Sequence, residues 1–296
     1  MLGKGTDMRK IIKLPSNPAW EGMAEVFPDV VFSQAGGEEL KMQIIAPWWD
    51  RGGMEVPAYP LVVFVQGSAW TFPGVWYQIP QLSELARKGY VVATITHRNS
   101  MERHPFPACL QDVKTAIRFL RKNAPLYGID AERVGLWGTS SGANLSLLAA
   151  MTEGEKRYIT EEYQGYSDRV DYVAACFPTT DLVEYMLDDG GEQEIKDIFT
   201  ALSGGIVDQE MSVLKEMSPY HRVQEGLLTE YPPLLIAHGD ADKLIPHNQS
   251  LKLYEALEKK GADVTMVTVE GAPHEDAFWS QEMLEFIYHF IEKNSK

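Results

Sequence analysis

Two cysteines in 296 residues, Cys109 and Cys176, are too few for a disulfide framework, and no C-x-x-C pair occurs. Both sit among apolar neighbours, which reads as two buried free thiols rather than a bridge. Positive charge is also short. Lys and Arg number 27 against 42 Asp and Glu, a formal net charge of −15. A chain without a basic face gains nothing from counterion release, so neither nucleic acid nor an anionic membrane is expected as a partner. No apolar run is long enough to cross a bilayer. Residues 1–14 alternate charge with short apolar pairs and lack the continuous apolar core of a secretory signal, which sets the expectation of a cytoplasmic location. No internal repeat or low-complexity run is present. The histidine spacings contain no H-E-x-x-H or comparable zinc pattern, so neither a metal nor a cofactor is expected.

What is there is an ordinary globular composition, 45% hydrophobic and 23% charged. The chain can bury a full core, and one domain over 1–296 is expected. Patches at 26–32 and 40–45 around Gly36-Gly37 predict an antiparallel hairpin at a sheet edge. Continuous apolar runs at 61–65 and 90–96 predict strands covered on both faces. Helical spacing at 77–88 and 112–123 alternates with these runs. Further strands are predicted at 173–177, 234–237 and 264–269, with helices at 251–260 and 282–293. The alternation predicts an α/β fold, a mostly parallel sheet wrapped by helices on both faces. The acidic stretch 180–223 breaks this rhythm. It reads either as a small helical cap over the carboxyl ends of the strands or as an ordinary crossover with surface helices.

The chemistry is concentrated at Gly138-Thr139-Ser140-Ser141-Gly142, a G-x-S-x-G sequence between a strand-like run at 133–137 and a small-residue helix at 143–151. A sharp strand-to-helix turn needs glycines where a Cβ would collide with its neighbours, and it presents the central serine clear of the sheet. A serine hydroxyl is a poor nucleophile at neutral pH, so Ser140 needs a base and an acid to orient that base. Of the seven histidines, His274 lies in a Gly/Pro-rich loop directly after a buried strand, where a doubly wound fold presents its chemistry. His97 and His104 lie upstream of the elbow, His221 in the 180–223 stretch and His289 in the terminal helix. His247 follows a proline, and His238 reads as a residue that holds its own loop. In chain order the acid should fall between Ser140 and His274. Asp242 lies deeper in its loop than Asp240, which suits closing the turn on backbone N–H groups, and Asp242 is the favoured acid. Oxyanion donors are expected from the backbone N–H of Ser141 and from Ser68 and Ala69 in Gln66-Gly67-Ser68-Ala69-Trp70.

With those residues in place, the chain resembles an α/β-hydrolase of the bacterial carboxylesterase group, which includes hormone-sensitive-lipase-like esterases, acetyl xylan esterases and feruloyl esterases. The likeness spans about residues 40–290. It rests on His104-Pro105-Phe106-Pro107-Ala108 with Asp112-Val113, on Phe119-Leu120-Arg121, and on Tyr127-Gly128-Ile129-Asp130. The elbow, His238-Gly239-Asp240-Ala241-Asp242 with Pro246, and Gly271-Ala272-Pro273-His274 complete it. The resemblance also selects Asp242 over Asp240. It implies a serine esterase acting on small-molecule esters, acetyl or feruloyl esters of plant carbohydrate among them. The family's His-Gly-Gly-Gly loop is here Gln66-Gly67-Ser68-Ala69, in which Gln66 is expected to hydrogen-bond the loop from within and the Ser68 hydroxyl is a further donor to consider. Trp70, Trp76 and Tyr77 read either as walls of an acyl pocket wide enough for an aryl ring or as core beneath the loop. A serine peptidase of the prolyl-oligopeptidase type and a non-catalytic binding protein on the same fold are the alternatives. A homodimer is left open.

Overall fold

Apolar β-branched runs separated by amphipathic helices settle into layers. In a computed structural model describing residues 11–53, 55–228 and 230–296, an eight-stranded sheet forms the centre. Its strands are β1 (Ala24–Ser33), β2 (Leu40–Pro47), β3 (Tyr59–Val65), β4 (Val91–Ile95), β5 (Ile129–Thr139), β6 (Tyr172–Cys176), β7 (Leu234–Gly239) and β8 (Val264–Val269). The spatial order is β1-β2-β4-β3-β5-β6-β7-β8. β1 pairs β2 and β2 pairs β4 antiparallel, as the predicted edge hairpin requires, and the remaining pairs are parallel. Every residue of β4 and β6 is buried, which is why both lack polar alternation.

The helices, in chain order, are α1 (Ile79–Arg87), α2 (Ala108–Lys122), α3 (Ala124–Tyr127), α4 (Ser140–Met151), α5 (Leu182–Leu187), α6 (Gln193–Leu202), α7 (Ser212–Glu216), α8 (Pro219–Gln224), α9 (Asn248–Lys259) and α10 (Gln281–Asn294). One face of the sheet buries its apolar residues against α2, α4 and α9, and the other against α1 and α10. The stretch 180–223 forms α5 to α8 between β6 and β7.

Element boundaries depart from expectation where local chemistry decides them. The first helix starts at Ile79, with Pro80 in its first turn, and leaves Tyr77 outside. The helix expected from 112 starts at Ala108, because Ala108, Cys109 and Leu110 are buried with the rest of its apolar side. Both cysteines are buried and free, and burial pushes each thiol up to about 12, which leaves them inert as nucleophiles. Among the described residues no helix is long and apolar enough to cross a membrane. The first ten residues of the 1–14 stretch read for a signal lie outside the described ones.

Candidate active site

Strand β5 runs up the middle of the sheet and hands the chain to α4 at Ser140, the first residue of that helix. Ser140 has φ 51, a left-handed conformation that a non-glycine residue adopts only when its surroundings hold it there. The surroundings here are glycines. A Cβ on Gly138 would stand 2.7 Å from Ala143 Cα, and one on Gly67 would stand 2.7 Å from Ser140 Cβ. Removing those side chains lets strand, helix and neighbouring loop close on the serine, as the sequence predicts.

The candidate acid and base arrive from two adjacent loops. Asp242 follows β7 and His274 follows β8, both at the carboxyl end of the sheet. His274 Nδ1 lies 2.7 Å from Asp242 Oδ2, and His274 Nε2 lies 3.1 Å from Ser140 Oγ. A carboxylate can only accept, so Nδ1 carries the proton and Nε2 is left to accept from the serine hydroxyl. Asp242 Oδ1 accepts the backbone N–H groups of Leu244 and Ile245, each at 2.9 Å. Burial pushes the Asp242 carboxyl up. The hydrogen bonds from His238 and His274 outweigh that and hold it well below the usual carboxylate range, so it stays ionised. Phe177 packs edge-on to the His274 ring at 4.7 Å and limits its swing. Asp240 instead accepts the Gly271 N–H at 2.6 Å, tying the acid loop to the histidine loop rather than closing its own turn.

The oxyanion loop follows β3 and takes left-handed backbone at Ala69 and Trp70, φ 49 and 54. Gly67 N donates to Thr139 Oγ1 at 2.8 Å, and Ser68 N donates to Ser141 Oγ at 2.9 Å. Ser68 N–H is therefore already engaged and is corrected from a free donor to a strut between loop and elbow. Among the described residues no acceptor takes the N–H of Ala69 or Ser141, and these two remain for a ligand. The Ser68 hydroxyl lies 3.5 Å from Nε2 of the buried His97, whose Nδ1 donates to the Arg98 carbonyl at 3.0 Å. Burial pushes His97 down to about 4, so it faces Ser68 as a neutral acceptor. Gln66 does not brace the loop: its Oε1 is buried without a hydrogen-bond partner.

A cavity of about 200 Å³ opens onto Ser140 and His274, walled by Ser68, Ala69, Trp70, Thr179, Ile195, Leu244, Ile245 and Glu275. Of the three aromatics considered for the pocket, only Trp70 lines it, and it does so from the core at 2% exposure. Trp76 and Tyr77, 56% and 60% exposed, lie outside the lining and are neither pocket nor core. Ile195 belongs to α6, so the 180–223 stretch contributes a wall of the cavity. Asn144, which the sequence reading passed over, joins these parts. Its Oδ1 accepts Trp70 Nε1 at 3.3 Å, and its Nδ2 donates to the carbonyls of Thr179 and Met217, each at 2.9 Å. An asparagine in a helix of small and apolar residues was the available signal. Thr139 and Phe177 were missed as well, since neither stands out by type or spacing.

A model of the BD-FAE family matches residues 53–257. The esterase LipC of Mycobacterium tuberculosis is 30% identical over 76% of this chain and 55% of its own length. A probable isoprenylcysteine alpha-carbonyl methylesterase of Oryza sativa subsp. japonica is 25% identical over 86% of this chain and 58% of its own. The chain thus spans about half the length of the curated relatives it matches. A solved truncated carbohydrate esterase from gut microbiota superposes with a TM-score of 0.78 at 27% identity, covering 95% of this chain and 99% of that one.

Proposed function

The chain belongs to the BD-FAE family, and from that premise we propose that it is a serine carboxylesterase for short acyl esters, with acetylated carbohydrate as the substrate class. The observation that carries this reading is the continuous relay Ser140–His274–Asp242 at hydrogen-bond distances, opening on a cavity of about 200 Å³. That volume falls below the ~300–1,000 Å³ of sites that enclose drug-sized ligands, and with Ile195, Leu244 and Ile245 among its walls it favours a compact acyl group in this reading. The similarity to a solved carbohydrate esterase supports the alcohol side of the ester.

In this reading Ser140 Oγ attacks the ester carbonyl while His274 Nε2 takes its proton. The carbonyl oxygen becomes an oxyanion facing the N–H groups of Ala69 and Ser141, each such donor contributing on the order of 3 kcal/mol to the lowered barrier. Asp242 stays ionised and stabilises the imidazolium. His274 then protonates the leaving alcohol oxygen, and the acyl group remains on Ser140. Water, deprotonated by His274, attacks the acyl-enzyme and releases the acid. Segment 180–223 acts as a cap, with Ile195 limiting acyl length.

Initial rates on acetyl, butyryl and feruloyl esters of one leaving group test the proposal. The expected order is acetyl above butyryl, with feruloyl far behind. Feruloyl turnover faster than acetyl would overturn the small-acyl assignment.

A further inference from the structure

The acid of the relay meets a second histidine. His238 sits at the end of β7 with its side chain fully buried, and its Nε2 lies 3.0 Å from Asp242 Oδ2, the same oxygen that accepts His274 Nδ1–H. The same Nε2 lies 3.0 Å from the Ile245 carbonyl. Neither oxygen can donate, so Nε2 must carry a proton and share it between them. Nδ1 lies 2.7 Å from Ser250 Oγ on α9, a hydroxyl free to turn its proton toward the ring. Ser250 thereby selects the neutral tautomer that points a donor at the acid.

We propose that His238 is a positioning residue that fixes the Asp242 carboxylate oxygen beneath His274 and, by donating to that oxygen, moderates how strongly Asp242 retains the proton of the catalytic base; this rests on the esterase reading above. Two histidine N–H groups divide one carboxylate oxygen. With His238 in place, Oδ2 has less electron density to offer His274, and the base releases its proton more readily. Without that donor the carboxylate binds the protonated His274 more tightly, so the base stays protonated to higher pH. The second donor also holds the carboxylate plane while the imidazole passes its proton between Ser140 and the leaving group. Other titratable groups around the cluster are His247, whose ring is 5.6 Å from that of His238, together with Asp240, Lys243, Glu275 and Tyr185. All of them are common to the variants compared below.

Two substitutions separate positioning from packing. In His238→Gln the amide nitrogen can occupy the place of Nε2 and donate to Asp242. In His238→Asn it reaches only the place of Nδ1, beside Ser250. With folding checked by circular dichroism, the pH profile of kcat/KM on an acetyl ester is measured for both. The acid limb of the Gln variant should overlay the wild type. That of the Asn variant should move to higher pH by about half a unit or more, with kcat lowered roughly tenfold and KM nearly unchanged. An Asn variant that loses activity with an unmoved acid limb would overturn the proposal. The wild-type protein supplies an independent check through the imidazole ¹⁵N shifts of His238: protonation at Nε2 is expected, and protonation at Nδ1 alone would overturn it. Absence of ester turnover and of fluorophosphonate labelling in the wild type would instead remove the esterase reading, and the tautomer of His238 would still decide the geometry claimed here.

Discussion

Replacing Gly142 by alanine sets two physical effects against each other. Gly142 lies in the first turn of α4, where helix propensity alone favours alanine by about 1 kcal/mol. A Cβ there would stand 2.6 Å from Val65 C and 2.8 Å from Gln66 C, and closer still to the Val65 carbonyl oxygen. All of these atoms are backbone, so no side chain can rotate away. The end of β3 must retreat from the elbow, and the oxyanion loop begins one residue later. Overpacking of this kind costs about 3 kcal/mol or more, which outweighs the propensity gain. The net loss of about 2 kcal/mol should lower the unfolding midpoint by roughly 3–5 °C in a chain of this length. Because the displaced backbone carries Ala69, kcat/KM should fall about a hundredfold or more even in the fraction that folds. Gly154→Ala is the control. Its φ is +68 but a Cβ there meets nothing within 4 Å, so only backbone strain of about 1 kcal/mol is added and kcat is unchanged. Calorimetry and initial rates on both variants decide the matter. A Gly142→Ala protein with wild-type midpoint and activity would refute the close-approach account.

Other expectations follow from the same geometry. In Asp242→Asn the amide oxygen must stay with the Leu244 and Ile245 N–H groups, so its NH2 faces His274 and forces the tautomer that cannot accept from Ser140; kcat should drop by about ten-thousand-fold. Asp240→Asn keeps an oxygen for Gly271 N–H and should stay within about threefold, and the reverse order would show the acid to be misassigned. His97 charges near 6.5 when unfolded and only near about 4 when folded, so acid favours the unfolded state between those values. The stability it carries is fully present above about pH 6.5 and is lost by about pH 4, an amount on the order of 3 kcal/mol. Urea midpoints near pH 7 and near pH 4 should therefore converge in His97→Asn relative to wild type, with the buried Asp112 common to both proteins; equal pH slopes would contradict the assignment.

The parts of this molecule that were legible in its sequence are those set by local pattern. The runs of β3 and β4 are apolar without alternation because both faces are covered, and that showed directly. That Ser140, Asp242 and His274 would meet was legible because a strand-to-helix glycine turn and two strand-end loops fix their order. What was not legible depends on partners distant in the chain. Trp70, Trp76 and Tyr77 are alike in type and close in sequence, yet only Trp70 finds a partner in Asn144 and a place against Phe199 of α6. The engagement of Ser68 N–H by Ser141 Oγ joins residues 73 apart and has no local signature. His238 read correctly as holding its loop, but its bond to the catalytic acid depends on Ser250 arriving from α9 to set the tautomer. The helix expected at 143 starts at Ser140 because the elbow, not propensity, decides where that helix begins.

The central claim is that Ser140 forms the acyl-enzyme. Its most direct test is fluorophosphonate labelling of wild type and Ser140→Ala, read by intact mass and peptide mapping, alongside acetyl-ester turnover. One label on the Ser140 peptide of the wild type, with neither label nor turnover in the folded alanine variant, is the predicted result. Labelling at another residue, or undiminished turnover by Ser140→Ala, would contradict it.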